Sequence, residues 1–381
     1  MKLNLAAPIE DGIGYGICGT NLAIELSRIT NLNITSYLDQ ASVHRPIELN
    51  WLCPRIKATA TDCDPDLPTI YVQDVGDRPP GNPVMLYTCT DTERLSQERI
   101  DCYRQMDVLV GMSAWNLEAF EDAGFTNCEV ILQGFDETLF FPRDDSRRVF
   151  DDRYVFFSGG KFEYRKGQDI VLAAWKIFHP RHPDSLLVTG WYNAWPHFMK
   201  SMSLTSHIEL TMIEHFEDLP SLLPLNDIDP ESVIFLQPLP NWTYAQIYHQ
   251  CDCGLFPTRG EPATNMPMVE MMACGKPVIA SYCGGQADVL QPDDNCRALT
   301  DLGREPASHE RPMKEDLGQW WSPCVEELVA QMEWCFEHRE EAGLIGRRAA
   351  SDVRSHMTWK HTARHFVQLA EKVTSPVAAT A

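Results

Sequence analysis

The sequence has no Cys-x-x-Cys pair, although it carries 13 cysteines, an odd number. A structural zinc site or a redox dithiol wants two closely spaced pairs or a Cys/His cluster. A disulfide framework belongs to chains too short to build a core, and 381 residues is not short. The cysteines therefore read as small core residues and free thiols, as expected in a reducing compartment. No run approaches the roughly 18 apolar residues of a membrane span. Met1–Ala7 passes at once into Pro8, Glu10 and Asp11, unlike a leader sequence, so the expected localisation is cytoplasmic. Positive charge is also scarce: 32 Lys+Arg stand against 54 Asp+Glu, a formal net charge of -22. Such a surface repels nucleic-acid backbones and anionic lipid headgroups. No nucleic-acid partner is expected, and membrane association is disfavoured. A small anionic ligand is still allowed, because a few local cations and a helix N-terminus can hold one.

What is present is a rhythm. The length suggests two domains. Short apolar runs alternate with helix-like stretches: Leu3–Ala7, then Asn21–Ile29, Asn33–Leu38, Ile70–Val72, Val84–Tyr87, Glu93–Gln105, Val108–Gly111, Trp115–Ala123 and Val130–Leu132. A polar stretch, Pro142–Arg153, interrupts the pattern and reads as a linker. The alternation then restarts with Tyr154–Ser158, Gln168–Phe178, Ser185–Gly190, Val233–Gln237, Tyr244–Cys251, Cys253–Pro257, Pro267–Cys274 and Pro277–Ser281. Such alternation predicts α/β architecture with parallel sheets covered on both faces. Two blocks predict two Rossmann-like domains, with ligands at the carboxyl ends of the strands. Gly303–Gln319 reads as a polar loop. Pro323–Arg339, Glu340–His356 and Trp359–Val373 read as helices.

Gly14, Gly16 and Gly19 spell G-x-G-x-x-G, with Asp39 twenty residues on. That is the dinucleotide fingerprint, but Pro8–Ile13 separates the strand from the first glycine, too far for its tight turn. A backbone-amide loop facing a cleft, or a plain turn, fits better. Ser158–Gly167 follows a strand, precedes a helix and places Lys161, Arg165 and Lys166 among Gly159, Gly160 and Gly167. Cations on a backbone that lets a ligand approach suit a diphosphate whose charge grows as a bond to it breaks.

In Arg259–Gly275, Thr264 or Asn265 can cap a helix, Pro267 suits its first turn, and Gly275 ends it. The free N–H groups at its start form an anion site. Glu261 lies just before that start and Glu270 about one turn in. Carboxylates accept hydrogen bonds from vicinal hydroxyls, so one can take a sugar and the other a ribose.

The run Glu-Pro-Ala-Thr-Asn-Met-Pro-Met-Val-Glu, continuing Met-Met-Ala-Cys-Gly-Lys-Pro-Val-Ile-Ala, resembles the donor-binding signature of retaining family 4 glycosyltransferases. Gly160–Gly167 is similar to the family's diphosphate loop. Ser113–Asn116 and Gly134–Asp136, with Phe140 and Pro142, resemble the end of its N-terminal domain. The resemblance implies a GT-B fold: residues 1–147 as an acceptor-binding lobe, 148–356 as a nucleotide-sugar lobe, and 357–381 as a helix crossing back plus a tail. It implies hexosyl transfer from a nucleoside-diphosphate sugar to a small-molecule or glycan acceptor, with retention, a front-face mechanism, no metal and no cofactor. Lys161 and Lys166 would hold the diphosphate, with Arg165 beside them. Glu261 would contact the donor sugar, aided by Asn265 and Met266, and Glu270 the ribose. Gly14 and Gly16, with Gly160, would line the cleft near the phosphates.

The chain departs from the family at two points. Its first loop cation is Lys161 where the family has Arg. The histidine that many members carry near the reacting sugar is missing: Val84–Cys89 and Thr90–Glu93 hold none, and only His44 precedes His179. Thr88, Asp91 or Glu93 would stand at that wall. Other readings stay open, namely a nucleotide-sugar epimerase or phosphorylase, a nicotinamide oxidoreductase, or a catalytically silent sugar-nucleotide binding protein. Asp62-Cys63-Asp64 and the His361/His365 pair have metal-like spacing but lack a third ligand. Trp191, Tyr192 and Trp195 suit either a cleft wall or the core, and Trp320 and Trp321 read as anchors. The N-terminal lobe holds 12 Lys+Arg against 23 Asp+Glu up to Arg148, which favours a soluble acceptor over a lipid.

Overall fold

The computed structural model describes residues 1–10, 12–36, 52, 56–57, 62–143, 148–150, 152–309 and 315–375. Asp39, His44 and part of the linker lie outside them. Aliphatic and aromatic runs form most of the strands, and six strands are buried along their whole length. β4 (Thr69–Val72), β5 (Val84–Thr88) and β6 (Val108–Gly111) have no exposed residue, the pattern of a parallel strand covered on both faces. With β1 (Lys2–Ala6), β2 (Asn31–Thr35), β3 (Ile56–Lys57) and β7 (Cys128–Val130), they make a sheet ordered β3-β2-β1-β4-β5-β6-β7. A second sheet has the order β10-β9-β8-β11-β12-β13, from β8 (Tyr154–Gly160), β9 (Ser185–Trp191), β10 (Val233–Phe235), β11 (Cys253–Phe256), β12 (Val278–Ser281) and β13 (Arg297–Leu299). Every pairing in both sheets is parallel. In each, the order reverses beside the first strand, and the ligand crevice of such a sheet lies at that switch point. The two crevices face each other.

Three expectations are corrected. The first helix is Gly14–Ile29, so Gly14, Gly16 and Gly19 lie within it and not in a loop. A Cβ on Gly19 would fall 2.0 Å from the Pro8 carbonyl oxygen and one on Gly16 2.3 Å from Glu10 Cγ, so these glycines let the helix press onto the segment leaving β1. Gly303–Gln319 is not wholly a loop: β14 (Leu302–Pro306) and β15 (Gln319–Pro323) pair antiparallel. Glu93–Gln105 is helical only over Gln97–Tyr103, because Glu93 and Arg94 are taken by that hairpin.

The last helix, Trp359–Thr374, buries Trp359, Ala363, Phe366, Leu369 and Ala370 at helical spacing. It packs on Gly14–Ile29 in the first lobe, with Phe366 edge-on to Tyr87 at 4.9 Å. Fully burying one such aromatic contributes about 1.5–3 kcal/mol. The crossing is pinned where Phe135 and Thr358 form a parallel bridge, with Phe135 N–H donating to the Met357 carbonyl at 3.0 Å.

Candidate active site

The cleft between the lobes encloses about 1330 Å³, counting its open mouth. The C-terminal lobe supplies its charge. β8 ends in Gly160, whose φ of 122° turns the chain into Lys161. A single 3-10 turn, Tyr164–Lys166, follows. Gly167 then starts the helix Gln168–Phe178 at φ 74°, where a Cβ would fall 2.0 Å from the Pro257 carbonyl oxygen. That close approach brings the turn against the segment after β11, and so Lys166 against Glu261.

Lys166 Nζ donates to Glu261 Oε2 at 2.5 Å, and the carboxylate is buried. Burial pulls the Lys166 amine below its usual range, against the opposing pull of Glu261. Lys161 is only half-buried, with its ammonium 4.9 Å from the centre of the Trp195 ring. Arg165 is not a third free cation. Nη1 donates to the Gly260 carbonyl at 2.6 Å and Nη2 to Glu163 Oε1 at 2.5 Å, while Nε lies 3.2 Å from Asp91 Oδ2. Burial works against its charge, but Glu163, Asp91 and Glu261 outweigh it and hold the guanidinium charged.

The helix Met266–Ala273 begins beside this group, with Pro267 in its first turn. Asn265, not Thr264, occupies the cap position at φ 60°. Its side chain makes no cap bond and instead donates to Gln286 at 2.7 Å. Pro267 has no N–H, and the Met268 and Val269 N–H groups donate to the Asn265 carbonyl at 2.9 and 3.1 Å, so an anion at this helix start meets the backbone of Asn265 and Met266, which both line the cleft. Met266 reaches across to Gly14, where a Cβ would lie 3.4 Å from its terminal methyl. One turn on, Glu270 accepts from Asn241 Nδ2 at 2.7 Å and Tyr248 Oη at 3.1 Å. Burial pushes its carboxyl up to about 8, even though both bonds favour the anion.

The structure therefore brings Lys161, Lys166, Glu261, Asn265, Met266, Glu270, Gly14 and Gly160 to one cleft. Two sequence-based assignments come out differently. Gly16 faces Glu10 instead of the cleft. The guanidinium of Arg165 is tied up within the protein, although its side chain borders the cleft. The aromatic trio divides as well. Tyr192 and Trp195 line the cleft, whereas Trp191 is core, donating to Ser158 Oγ at 3.1 Å. Trp320 is fully buried, and Trp321 meets Trp115 edge-on at 5.5 Å across the lobes.

The N-terminal lobe lines the cleft with Gly12, Ile13, Gly14, Tyr15, Ile17, Cys89, Met112 and Gln133, all uncharged, among the described residues. Thr88, Asp91 and Glu93 do not form this wall. Tyr15 Oη sits 3.4 Å from Thr88 Oγ1 and accepts from Cys89 N–H at 3.3 Å. Burial lifts the Cys89 thiol to about 11, so it is uncharged at neutral pH.

Sequence reasoning gave no role to the pair beneath the site. Arg259 is fully buried, donates from both Nη atoms to Asp169 at 2.8 and 2.7 Å, and stacks on Tyr164 at 3.7 Å. It ties the start of the helix Gln168–Phe178 to the segment carrying Glu261. Ninety residues separate the partners, and nothing local signals their meeting.

Residues 152–308 match the family model described as glycosyl transferases group 1. The chain is 27% identical over 256 residues to the D-inositol 3-phosphate glycosyltransferase of Mycolicibacterium smegmatis, covering 61% of this chain and 54% of that protein. The matched segment thus spans about half of the relative's length. Among solved structures, the chain is similar to Anabaena Alr3699/HepE in complex with UDP and glucose, with TM-score 0.69, 14% identity, and 98% of this chain and 100% of that one covered. It is likewise similar to sucrose-phosphate synthase from Thermosynechococcus elongatus, with TM-score 0.68, 14% identity and 98% of both chains covered. At that identity the likeness shows the fold, which is GT-B.

Proposed function

Because residues 152–308 match the family model described as glycosyl transferases group 1, we propose that the protein moves a hexosyl group from a nucleoside-diphosphate sugar to an acceptor hydroxyl, with retention and without a metal. The observation that carries this is the convergence of Lys161, Lys166, Glu261, the helix start at Asn265–Met266, and Glu270 on one cleft. In this reading residues 148–356 bind the donor, 1–147 face the acceptor, and the helix Trp359–Thr374 ties the lobes together.

Glu270, held by Asn241 and Tyr248, accepts from the ribose hydroxyls. Lys166 and Lys161 pair with the diphosphate, and the Asn265 and Met266 amides donate to it. As the anomeric carbon–oxygen bond breaks, charge grows on the departing phosphate, where fixed cations and dipoles are worth most. The diphosphate's negative charge offsets the desolvation that pulls Lys166 down. Glu261 accepts from the donor-sugar hydroxyls. Its Oε2 is held 2.5 Å from Lys166 Nζ, which favours an orienting role over nucleophilic attack. The proton of the acceptor hydroxyl passes to an oxygen of the leaving diphosphate on the same face of the sugar. That step needs no protein base, in keeping with the uncharged wall opposite.

A thermal-shift screen of UDP-, GDP- and ADP-sugars, followed by assay of nucleoside-diphosphate release, tests the reading. Stabilisation by one donor class and release that persists in a chelator are expected. Turnover abolished by the chelator and restored only by a divalent ion would overturn the metal-free mechanism.

A further inference from the structure

We infer that Asp91, from the N-terminal lobe, is a positioning residue that sets the alignment of Glu261 across the boundary between the lobes. The inference rests on the reading of the cleft given above. Asp91 lies in the loop after β5, outside the cleft wall. Its Oδ2 lies 3.2 Å from Arg165 Nε and 3.0 Å from His309 Nε2, and its Oδ1 lies 3.8 Å from Arg99 Nη1. Its backbone carbonyl accepts from Trp320 Nε1 at 2.5 Å. Burial raises the cost of its charge, but these cations outweigh burial and hold the carboxyl well below its usual range.

Arg165 carries the coupling into the site. Its guanidinium, 5% exposed, sits among three carboxylates: Glu163 at 2.5 Å, Asp91 at 3.2 Å and Glu261 at 3.8 Å. It also donates to the carbonyl of Gly260, the residue before Glu261. A guanidinium is a rigid planar fork, so a pull on one edge reorients the others. With Asp91 in place, Nε is engaged by the opposite lobe and Glu261 keeps Lys166 as its near partner. Without that charge, Glu163 and Glu261 are left to share the cation. The fork then turns toward Glu261 and draws it off Lys166. The donor-sugar contact is thus set correctly only when the N-terminal lobe supplies its carboxylate. Asp91 touches no substrate and acts through Arg165.

A neighbouring contact gives the control. Glu93, two residues on, also bridges the lobes: it pairs with Arg304 and accepts from Gln319 N–H at 2.7 Å. Neither contact involves Arg165. Nucleoside-diphosphate release is measured for wild type, Asp91→Asn, Asp91→Glu and Glu93→Ala with UDP-glucose, GDP-mannose and ADP-glucose, alongside melting temperatures. A sub-ångström to ångström misplacement at a reacting centre costs up to about a hundredfold. Asp91→Asn should therefore lose about tenfold or more in kcat, with donor KM within about threefold. Asp91→Glu, which keeps the charge, should recover about a third or more of wild-type kcat, and Glu93→Ala should stay within about twofold. A wild-type kcat in Asp91→Asn, an equal loss in Glu93→Ala, or a loss confined to KM would overturn the coupling and leave the donor reading standing. No release from any of the three sugars by wild type would overturn the donor reading, and the coupling with it.

Discussion

The two walls of the cleft are built from different chemistry. The C-terminal wall presents Lys161, Lys166, Glu261 and Glu270 around a helix start, whereas the described N-terminal wall presents Ile13, Tyr15, Ile17, Cys89, Met112 and Gln133. A diphosphate carries charge that must be matched in a partly dry site, so its wall is costly and tightly constrained. A neutral hydroxyl-bearing acceptor needs shape and a few hydrogen bonds. The contrast locates the charge-handling chemistry in one lobe and leaves the other lobe the task of positioning. The described part of this wall holds Cys89 and Tyr15 in a neutral hydrogen-bonded group.

If the contrast is right, Lys166→Ala has the largest effect. Losing one donor to a developing anion costs about 10²–10³-fold in kcat, to be read as nucleoside-diphosphate release. An unchanged rate would move the diphosphate away from this wall. Because the lysine also partners a buried carboxylate, its melting temperature should fall. Glu261→Gln comes next, with kcat down by about tenfold to a hundredfold and donor affinity by equilibrium titration nearly unchanged.

Glu270 gives a pH signature. Its carboxyl is raised to about 8, so between the unfolded value near 4.5 and about 8 the folded state holds more protons than the unfolded state. Stability then falls as pH rises through that window. Wild type should lose melting temperature relative to Glu270→Gln between pH 5 and 8. A nucleotide whose ribose hydroxyls donate to the carboxylate should bind more tightly as pH rises toward and past about 8, and Glu270→Gln should abolish the trend. A flat wild-type profile would show that the carboxylate is not taking the ribose. The smallest effect belongs to the opposite wall. Cys89→Ser and Gln133→Ala should each change kcat by less than about threefold, with any change appearing in acceptor KM. A hundredfold loss at Cys89 would break the division of labour between the walls.

Much of this was legible in the sequence because its signals are local. Tyr154–Ser158 and Gln168–Phe178 follow from apolar runs and a glycine stop, and the structure has the strand reaching Gly160 and the helix at the predicted bounds. Glu261, Pro267 and Glu270 fall around one helix start because capping and spacing are properties of a few consecutive residues. The G-x-G-x-x-G run misled for the converse reason. Glycine allows a flexible loop and also close helix packing, and only Pro8 and Glu10 lying against Gly19 and Gly16 show which applies. The β14–β15 hairpin was missed because its polar, half-exposed strands lack an apolar period.

The sequence by itself determined the two α/β blocks, the acidic exterior and the cationic and acidic residue types that gather at the cleft. Tertiary structure alone decided how those residues are employed. Arg165 and Lys166 are neighbours in the chain, yet one is tied to Asp91, Glu163 and Gly260 while the other faces the cleft with Glu261. A cation's role depends on which charges lie within a few ångströms of it. For Arg165 those charges come from a residue 74 positions earlier and another 96 positions later, a distance no local pattern spans.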